Sequence, residues 1–300
     1  MKPVSYSTPQ AFKQALETRV RRAATAEQLD MNRFRQVLLY DRFLARIVHR
    51  FGGRAVVKGG VVLELRLERA RSTRDIDLRL TGTTTGLLDE LKAAGELDLG
   101  DRLTFLVIDS PDDDSIDGPG VVYEGKRYRA EARLAGMVYG SPFGVDVAFG
   151  DPLSGAPEVI EGTHFFEFIG LPATRILVYP RETHLAEKLH AYTLPRSGEN
   201  SRVKDLPDMA LLAQTGPFAA SELRAAMEGT FGFRATHSMP SRLPSPPASW
   251  APVYARIASQ DRLPWPDLAT LEIAVRNFLD PLLAGGAGTW SPGSWAWLRS

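Results

Sequence analysis

The 300-residue chain carries 36 Lys+Arg against 36 Asp+Glu, is 44% hydrophobic and 24% charged, and contains no cysteine. Such a composition excludes a disordered or fibrous chain, and the missing thiols exclude disulfides, zinc–thiolate and iron–sulfur sites and a cysteine nucleophile. The opening residues hold no apolar signal core and no stretch reaches the ~18 apolar residues of a membrane span, so a cytoplasmic protein without a membrane partner is expected.

In chain order, residues 9–22 and 27–51 predict helices. The second carries Phe34, Leu38, Leu39, Phe43, Leu44 and Ile47 over successive turns, and Gly52-Gly53 stops it. A short strand over 54–58 turns at Gly59-Gly60 into a helix over 61–69, and residues 74–80 alternate as a strand. A helix over 85–95, a strand over 104–109 and an acidic loop over 110–120 follow. Residues 127–139 and 143–149 predict an antiparallel pair turned at 140–142. A strand over 175–179 leads into a helix over 181–193, and further helices are expected over 204–214, 220–230 and 267–283. Five prolines between Pro240 and Pro252 predict a connector rather than a packed element. All five tryptophans lie from Trp250 onward, which predicts a tail packed on the body. The expected class is α/β (α+β), divided into an α/β part over 1–180 and a helical part over 181–300.

The sharpest chemical pattern is Arg71-Ser-Thr-Arg-Asp75-Ile-Asp77-Leu78. On a strand Asp75 and Asp77 share one face, about 7 Å apart, opposite Ile76 and Leu78. Two carboxylates at that spacing suit shared oxygen coordination of Mg²⁺, although an ordinary strand with its polar residues in solvent reads the same way. Asp146 stands opposite Val145, Val147 and Phe149 on a strand too apolar for a solvated edge. If these strands are neighbours, three carboxylates converge, and like charges so placed call for a cation or a retained proton. Lys58-Gly59-Gly60, between a strand and a helix, can bring backbone N–H groups to a phosphate, or can be merely a turn.

Farther along, His184 and Lys188 fall at i and i+4 beside the stripe Leu185, Leu189 and Tyr192. They read as an anion-binding face or as a solvated flank. In Arg202-Val-Lys204-Asp205-Leu-Pro-Asp208, Asp205 is placed to cap the following helix. The five histidines show no metal-ligand spacing, and neither a P-loop nor a dinucleotide glycine fingerprint is present.

Read in order, Lys58-Gly-Gly60, Arg71–Leu78, Val145-Asp-Val147, Glu182–Ala191 and Arg202–Asp208 resemble the nucleotidyltransferase toxins of the AbiEii/AbiGii type, including MenT-like enzymes, over roughly residues 50–215. The resemblance implies a polymerase-β-like nucleotidyltransferase core with a mixed sheet and a helical C-terminal part. It further implies a bacterial cytoplasmic enzyme using Mg²⁺ and an NTP, acting on the 3′ end of tRNA to block translation and growth, with a cognate antitoxin. It assigns Asp75, Asp77 and Asp146 to the metal, and Lys188 and Asp205 to catalysis. Lys58, Gly59, Gly60, Arg71, Thr73, Arg74, Lys188 and Asp208 fall to the nucleotide. A phosphate on Thr73 would set roughly two negative charges against the metal carboxylates. Competing acceptors are a small molecule, such as an antibiotic, or a protein; a non-catalytic interaction module on the same scaffold is a third reading.

The zero net charge is a cancellation. Residues 1–50 hold ten Lys/Arg and four Asp/Glu, whereas residues 89–117 hold ten acids and two bases. The N-terminal helices thus read as a surface that attracts RNA phosphates, or as two ordinary solvated helices.

Overall fold

The computed structural model describes residues 4–67, 72–82, 85–110, 125–150 and 153–299. Its elements are α1 (Pro9–Ala26), α2 (Met31–Phe51), β1 (Ala55–Lys58), α3 (Gly60–Arg66), β2 (Asp75–Leu80), α4 (Leu87–Glu96), β3 (Leu103–Asp109), β4 (Gly125–Leu134), β5 (Met137–Val138), β6 (Phe143–Phe149), β7 (Glu158–Glu161) and β8 (Arg175–Val178). There follow α5 (Arg181–Thr193), α6 (Asp205–Gln214), β9 (Phe218–Ala219), α7 (Ala220–Arg234), α8 (Trp250–Asp261), α9 (Leu268–Leu283), β10 (Thr289–Ser291) and β11 (Ala296–Leu298). The expected class is met: a mixed α/β core is followed by a mostly helical part.

Among the described residues, eight strands form one sheet in the order β3-β4-β6-β2-β1-β8-β7, with β5 on β4. The β2/β6 and β1/β8 pairs are parallel and the rest antiparallel. The alternation of β2 and β6 sends Ile76, Leu78, Val145 and Val147 into a core shared with Leu39, Phe43 and Ile47 of α2 and Leu87 and Leu91 of α4. The opposite face of the same strands keeps its carboxylates. A second apolar cluster joins Leu63 of α3 to residues of α5–α9, with Trp290 at 0% exposure.

Local chemistry sets the boundaries. Thr8 and Asp30 cap α1 and α2 by accepting from the N–H groups of Ala11 and Arg33. Gly52 ends α2 at φ 54°, a conformation glycine adopts without strain. Asp267 and Thr270 form a reciprocal cap on α9.

Two expectations fail, and four short strands go unanticipated. The strand read over 127–139 breaks at Ala135-Gly136, both at positive φ, so β5 folds back on β4 before β6 pairs with β4 in turn. The proline-rich connector stops sooner than the prolines suggest: α8 begins at Trp250 and holds Pro252 in its first turn, where a missing N–H breaks no helical bond. The short strands β7, β9, β10 and β11 are too brief for periodicity to show. The tryptophan-rich tail does pack on the body, with the indole N–H groups of Trp290, Trp295 and Trp297 donating to the carbonyls of Ala213, Ala274 and Phe278. No helix among the described residues is long and apolar enough to cross a membrane.

Much of the positive N-terminal charge is spent inside the fold. Arg42 and Arg46 are buried around Asp101, which is itself 0% exposed. Burial alone would raise the Asp101 carboxyl, but the guanidiniums of Arg46 and Arg42 hold it below the usual range. Arg33 pairs with Asp261, Arg35 with Glu17 and Arg50 with Glu90. Acids outside the segment, Asp101, Asp261 and Glu90, thus take up part of the local excess over residues 1–50.

Asp101→Ala removes the acid partner of buried Arg46 and leaves Arg42 only Asp41 at 3.7 Å, and it is expected to lower stability by about 3–5 kcal/mol in chemical denaturation. Because the folded pKa of Asp101 is depressed, its contribution is present above the ordinary carboxylate pKa and disappears as pH falls through the folded value. The deficit of the variant should shrink accordingly in acid.

Candidate active site

Four strands place four charges in one row. Lys58 of β1 is the register partner of Asp77 on β2, Asp77 of Asp146 on β6, and Asp146 of Arg127 on β4. Partners in register point to the same side of a sheet, so two adjacent carboxylates are flanked by two cations. Asp75 lies two residues before Asp77, opposite Gly144 and, one strand farther, Arg129.

Two glycines make room for the acids. Gly59 has φ 72°, and a Cβ there would collide with the Asp77 carboxylate. A Cβ on Gly144 would likewise meet the carboxylate of Asp75. Glycine is thus required at 59 both for conformation and for Asp77 to lie across the backbone.

The opposing wall comes from α5 and α6. The Lys188 ammonium contacts Asp205 Oδ1 at 2.9 Å and Asp208 Oδ2 at 2.7 Å. The expected capping role of Asp205 is overturned. Lys204 is the N-cap residue, no side chain caps this helix, and the Asp205 carboxylate turns to Lys188 instead. Glu187, one residue before Lys188, bridges Lys58 at 3.6 Å and Arg234 of α7 at 3.4 Å. Lys58 also lies 5.4 Å from the Tyr179 ring centroid.

Between the row and this wall lies a cavity of about 260 Å³. Asp77, Asp146, Glu187 and Asp205 line it together with Lys58, Arg127, Lys188, Arg196, Arg202 and Arg234, so cations outnumber acids. Burial pushes the Asp77 carboxyl up to about 7, Asp146 adds to the rise, and Lys58 and Lys188 oppose it. Asp75 is raised for the same two reasons, burial first and Asp146 second. His184 also lines the cavity; it is 2% exposed and neither ring nitrogen finds a hydrogen-bond partner. Burial and then Lys188 push it down to about 3, so it stays neutral.

Among the described residues, no three His, Cys, Asp or Glu side chains stand close enough together to hold a metal ion. The pair Asp77 and Asp146 nevertheless fits a hard divalent cation: both offer oxygen only, and burial and then the adjacent Asp146 raise the Asp77 carboxyl, a cost a bound cation would relieve.

Of the residues singled out in the sequence, Lys58, Gly59, Asp77, Asp146, Lys188 and Asp205 meet at the cavity. Asp75 and Arg74 line an adjoining groove with Arg127 and Arg129. Asp208 is buried behind Lys188, Gly60 opens α3 in a buried position, and the Thr73 hydroxyl donates to the Asp75 carbonyl. Arg71 lies outside the described residues, as does most of the acidic loop at 110–120. Sequence reading missed Arg127, Glu187 and Arg234. Glu187 was within reach, being the neighbour of Lys188. Arg127 and Arg234 carry no local signal and are revealed only by strand register and helix packing.

A mixed sheet with paired acids at the mouth of a cation-lined cavity is the frame on which similarity to known proteins can be judged. The family model of the nucleotidyl transferase AbiEii toxin, type IV toxin–antitoxin system, matches residues 42–281, and the chain belongs to that family. It is accordingly a toxin-type nucleotidyltransferase of a type IV toxin–antitoxin system. Among solved structures it is similar to MenT4, a nucleotidyltransferase toxin from Mycobacterium tuberculosis H37Rv, at 15% identity and TM-score 0.47, over 75% of this chain and 74% of that one. It is also similar to JHP933 from Helicobacter pylori, at 16% identity and TM-score 0.45, over 83% and 94% of the two chains. A putative nucleotidyltransferase from H. pylori aligns at 15% identity and TM-score 0.46, over 83% and 97%. No curated protein matches by sequence.

The raised Asp77 pKa has a stability consequence. A carboxyl that holds its proton more tightly when folded makes stability fall as pH rises from the ordinary carboxylate range to about 7, and the loss persists above it. In metal-free protein, Asp77→Asn is expected to be more stable than the parent at pH 8 by on the order of 1 kcal/mol, and indistinguishable from it near pH 4. Thermal unfolding at the two pH values measures this; equal melting at pH 8 would contradict the buried-charge assignment.

Proposed function

We propose that the chain transfers a nucleoside monophosphate from an NTP to the 3′ end of tRNA, with Mg²⁺ as cofactor, and thereby blocks translation and growth. The observation that carries this reading is the register row Lys58–Asp77–Asp146–Arg127, which opens into a cavity lined by further cations. Adjacent acids suit a divalent metal, and the surrounding ammonium and guanidinium groups suit a triphosphate.

Asp77 and Asp146 hold the metal in this reading, with Asp75 beside them. A bound Mg²⁺ neutralises triphosphate charge and lowers the pKa of the acceptor hydroxyl. Lys188, fixed from behind by Asp205 and Asp208, presents its ammonium to the phosphates. Lys58, held by Glu187, adds a second cation across the cavity. The acceptor oxygen attacks the α-phosphorus, pyrophosphate leaves, and the hydroxyl proton passes to Asp146. Residues 1–180 thus supply the metal-binding acids and Lys58, and residues 181–300 supply Lys188 and the acids that hold both cations.

The tRNA acceptor, Mg²⁺ and the growth block rest on the family resemblance, as does a cytoplasmic setting where an antitoxin opposes the enzyme. A small-molecule or protein acceptor uses the same cavity chemistry, so the acceptor needs direct measurement. Each labelled NTP is incubated with total RNA, protein and small-molecule pools, and the labelled product is sized. Label in the tRNA fraction is expected; label confined to another pool would replace the acceptor, and no transfer to any pool would remove the enzymatic reading. Asp77→Ala should abolish transfer, and Lys188→Ala should lower it by about 10²–10³-fold, the cost of losing one preorganised charge partner.

A further inference from the structure

The row contains a contact that competes with metal binding. Arg127 Nε donates to Asp146 Oδ1 at 2.8 Å and Nη2 to Oδ2 at 2.9 Å, so one guanidinium engages both carboxylate oxygens. The fork takes one lone pair on each Asp146 oxygen, and its charge repels a divalent ion at close range. The Arg127 side chain is 43% exposed while that of Asp146 is 15% exposed, so the guanidinium has more open space around it than the acid. Arg127 also lines both spaces beside the row: the cavity containing Lys188 and the groove containing Arg74 and Asp75.

Resting on the reading of Mg²⁺-dependent transfer, we propose that Arg127 is a placeholder cation and a positioning residue. In the resting protein it neutralises Asp146. When an NTP enters the cavity, Arg127 transfers its two donors to a phosphate oxygen, and Asp146 is released to the metal beside Asp77. Metal and nucleotide therefore bind cooperatively, because each removes what opposes the other. An isolated metal must displace the guanidinium without offering it a new anion. A nucleotide supplies that anion.

The test is Mn²⁺ titration of the full chain, followed by the electron paramagnetic resonance of free Mn²⁺, with and without each non-hydrolysable nucleoside triphosphate analogue. The parent protein should bind Mn²⁺ weakly alone and about tenfold or more tightly with a nucleotide, tenfold corresponding to ~1.4 kcal/mol. Arg127→Gln should bind Mn²⁺ alone about tenfold more tightly than the parent, lose most of the nucleotide effect, and show a raised KM for NTP with an unchanged KM for acceptor. Arg127→Lys keeps the charge without the fork and should fall between them. Asp146→Asn should abolish the tight phase in every background. If Arg127→Gln and Arg127→Lys bind Mn²⁺ alone no better than the parent does alone, while the parent still binds it with nucleotide, the placeholder role is overturned and metal-dependent transfer stands. If no form binds Mn²⁺ under any condition, both fall.

Discussion

Two carboxylates, Asp77 and Asp146, are register partners on parallel strands, and much of the site's architecture answers the repulsion between them. Lys58 and Arg127 flank the pair on the outer strands of the same row. Gly59 clears the space into which Asp77 lies. Glu187 holds Lys58 from the helical side and is itself held by Arg234, so the compensation extends from the sheet into α7. Helix α6 supplies two acids to a lysine of α5 and thereby fixes a cation at the far wall. The alternation of positive and negative groups is what lets so many charges share one half-buried cleft.

How much of this the sequence discloses depends on the range of the interaction. The β2 strand and its two acids are legible because alternation is local, and Asp146 is legible because an acid among Val145, Val147 and Phe149 needs a reason. The partnership of Asp77 with Asp146 is not local, since it depends on β6 lying parallel beside β2. Arg127 is invisible for the same reason: nothing near it announces that β4 will bring it to Asp146. Asp205 misled for a different cause. A helix-opening Asp ordinarily serves the backbone, but here Lys188 offers a full charge and takes the side chain away from that role.

Charge counted by segment is silent on where each cation ends up. The N-terminal excess looks like a surface property, yet Arg42 and Arg46 close on a buried Asp101 that sits far along the chain. Arg33 reaches Asp261 at the end of α8, where the Ser72 hydroxyl also donates, tying the first helices, the edge of the carboxylate strand and the helical part to one acid. Segmental charge thus records how the chain is stitched together before it records what binds to it.

The parallel register of β2 on β6 has a further meaning for how such a chain comes to be active. Sliding either strand by one residue would turn Asp77 or Asp146 into the apolar layer and bring Ile76 or Val145 to the cleft. The alignment that fills the core is the same alignment that assembles the acids. A misregistered chain therefore loses the packed core and the paired acids together. In this nucleotidyltransferase the paired acids are thus a property of the completed sheet rather than of either strand.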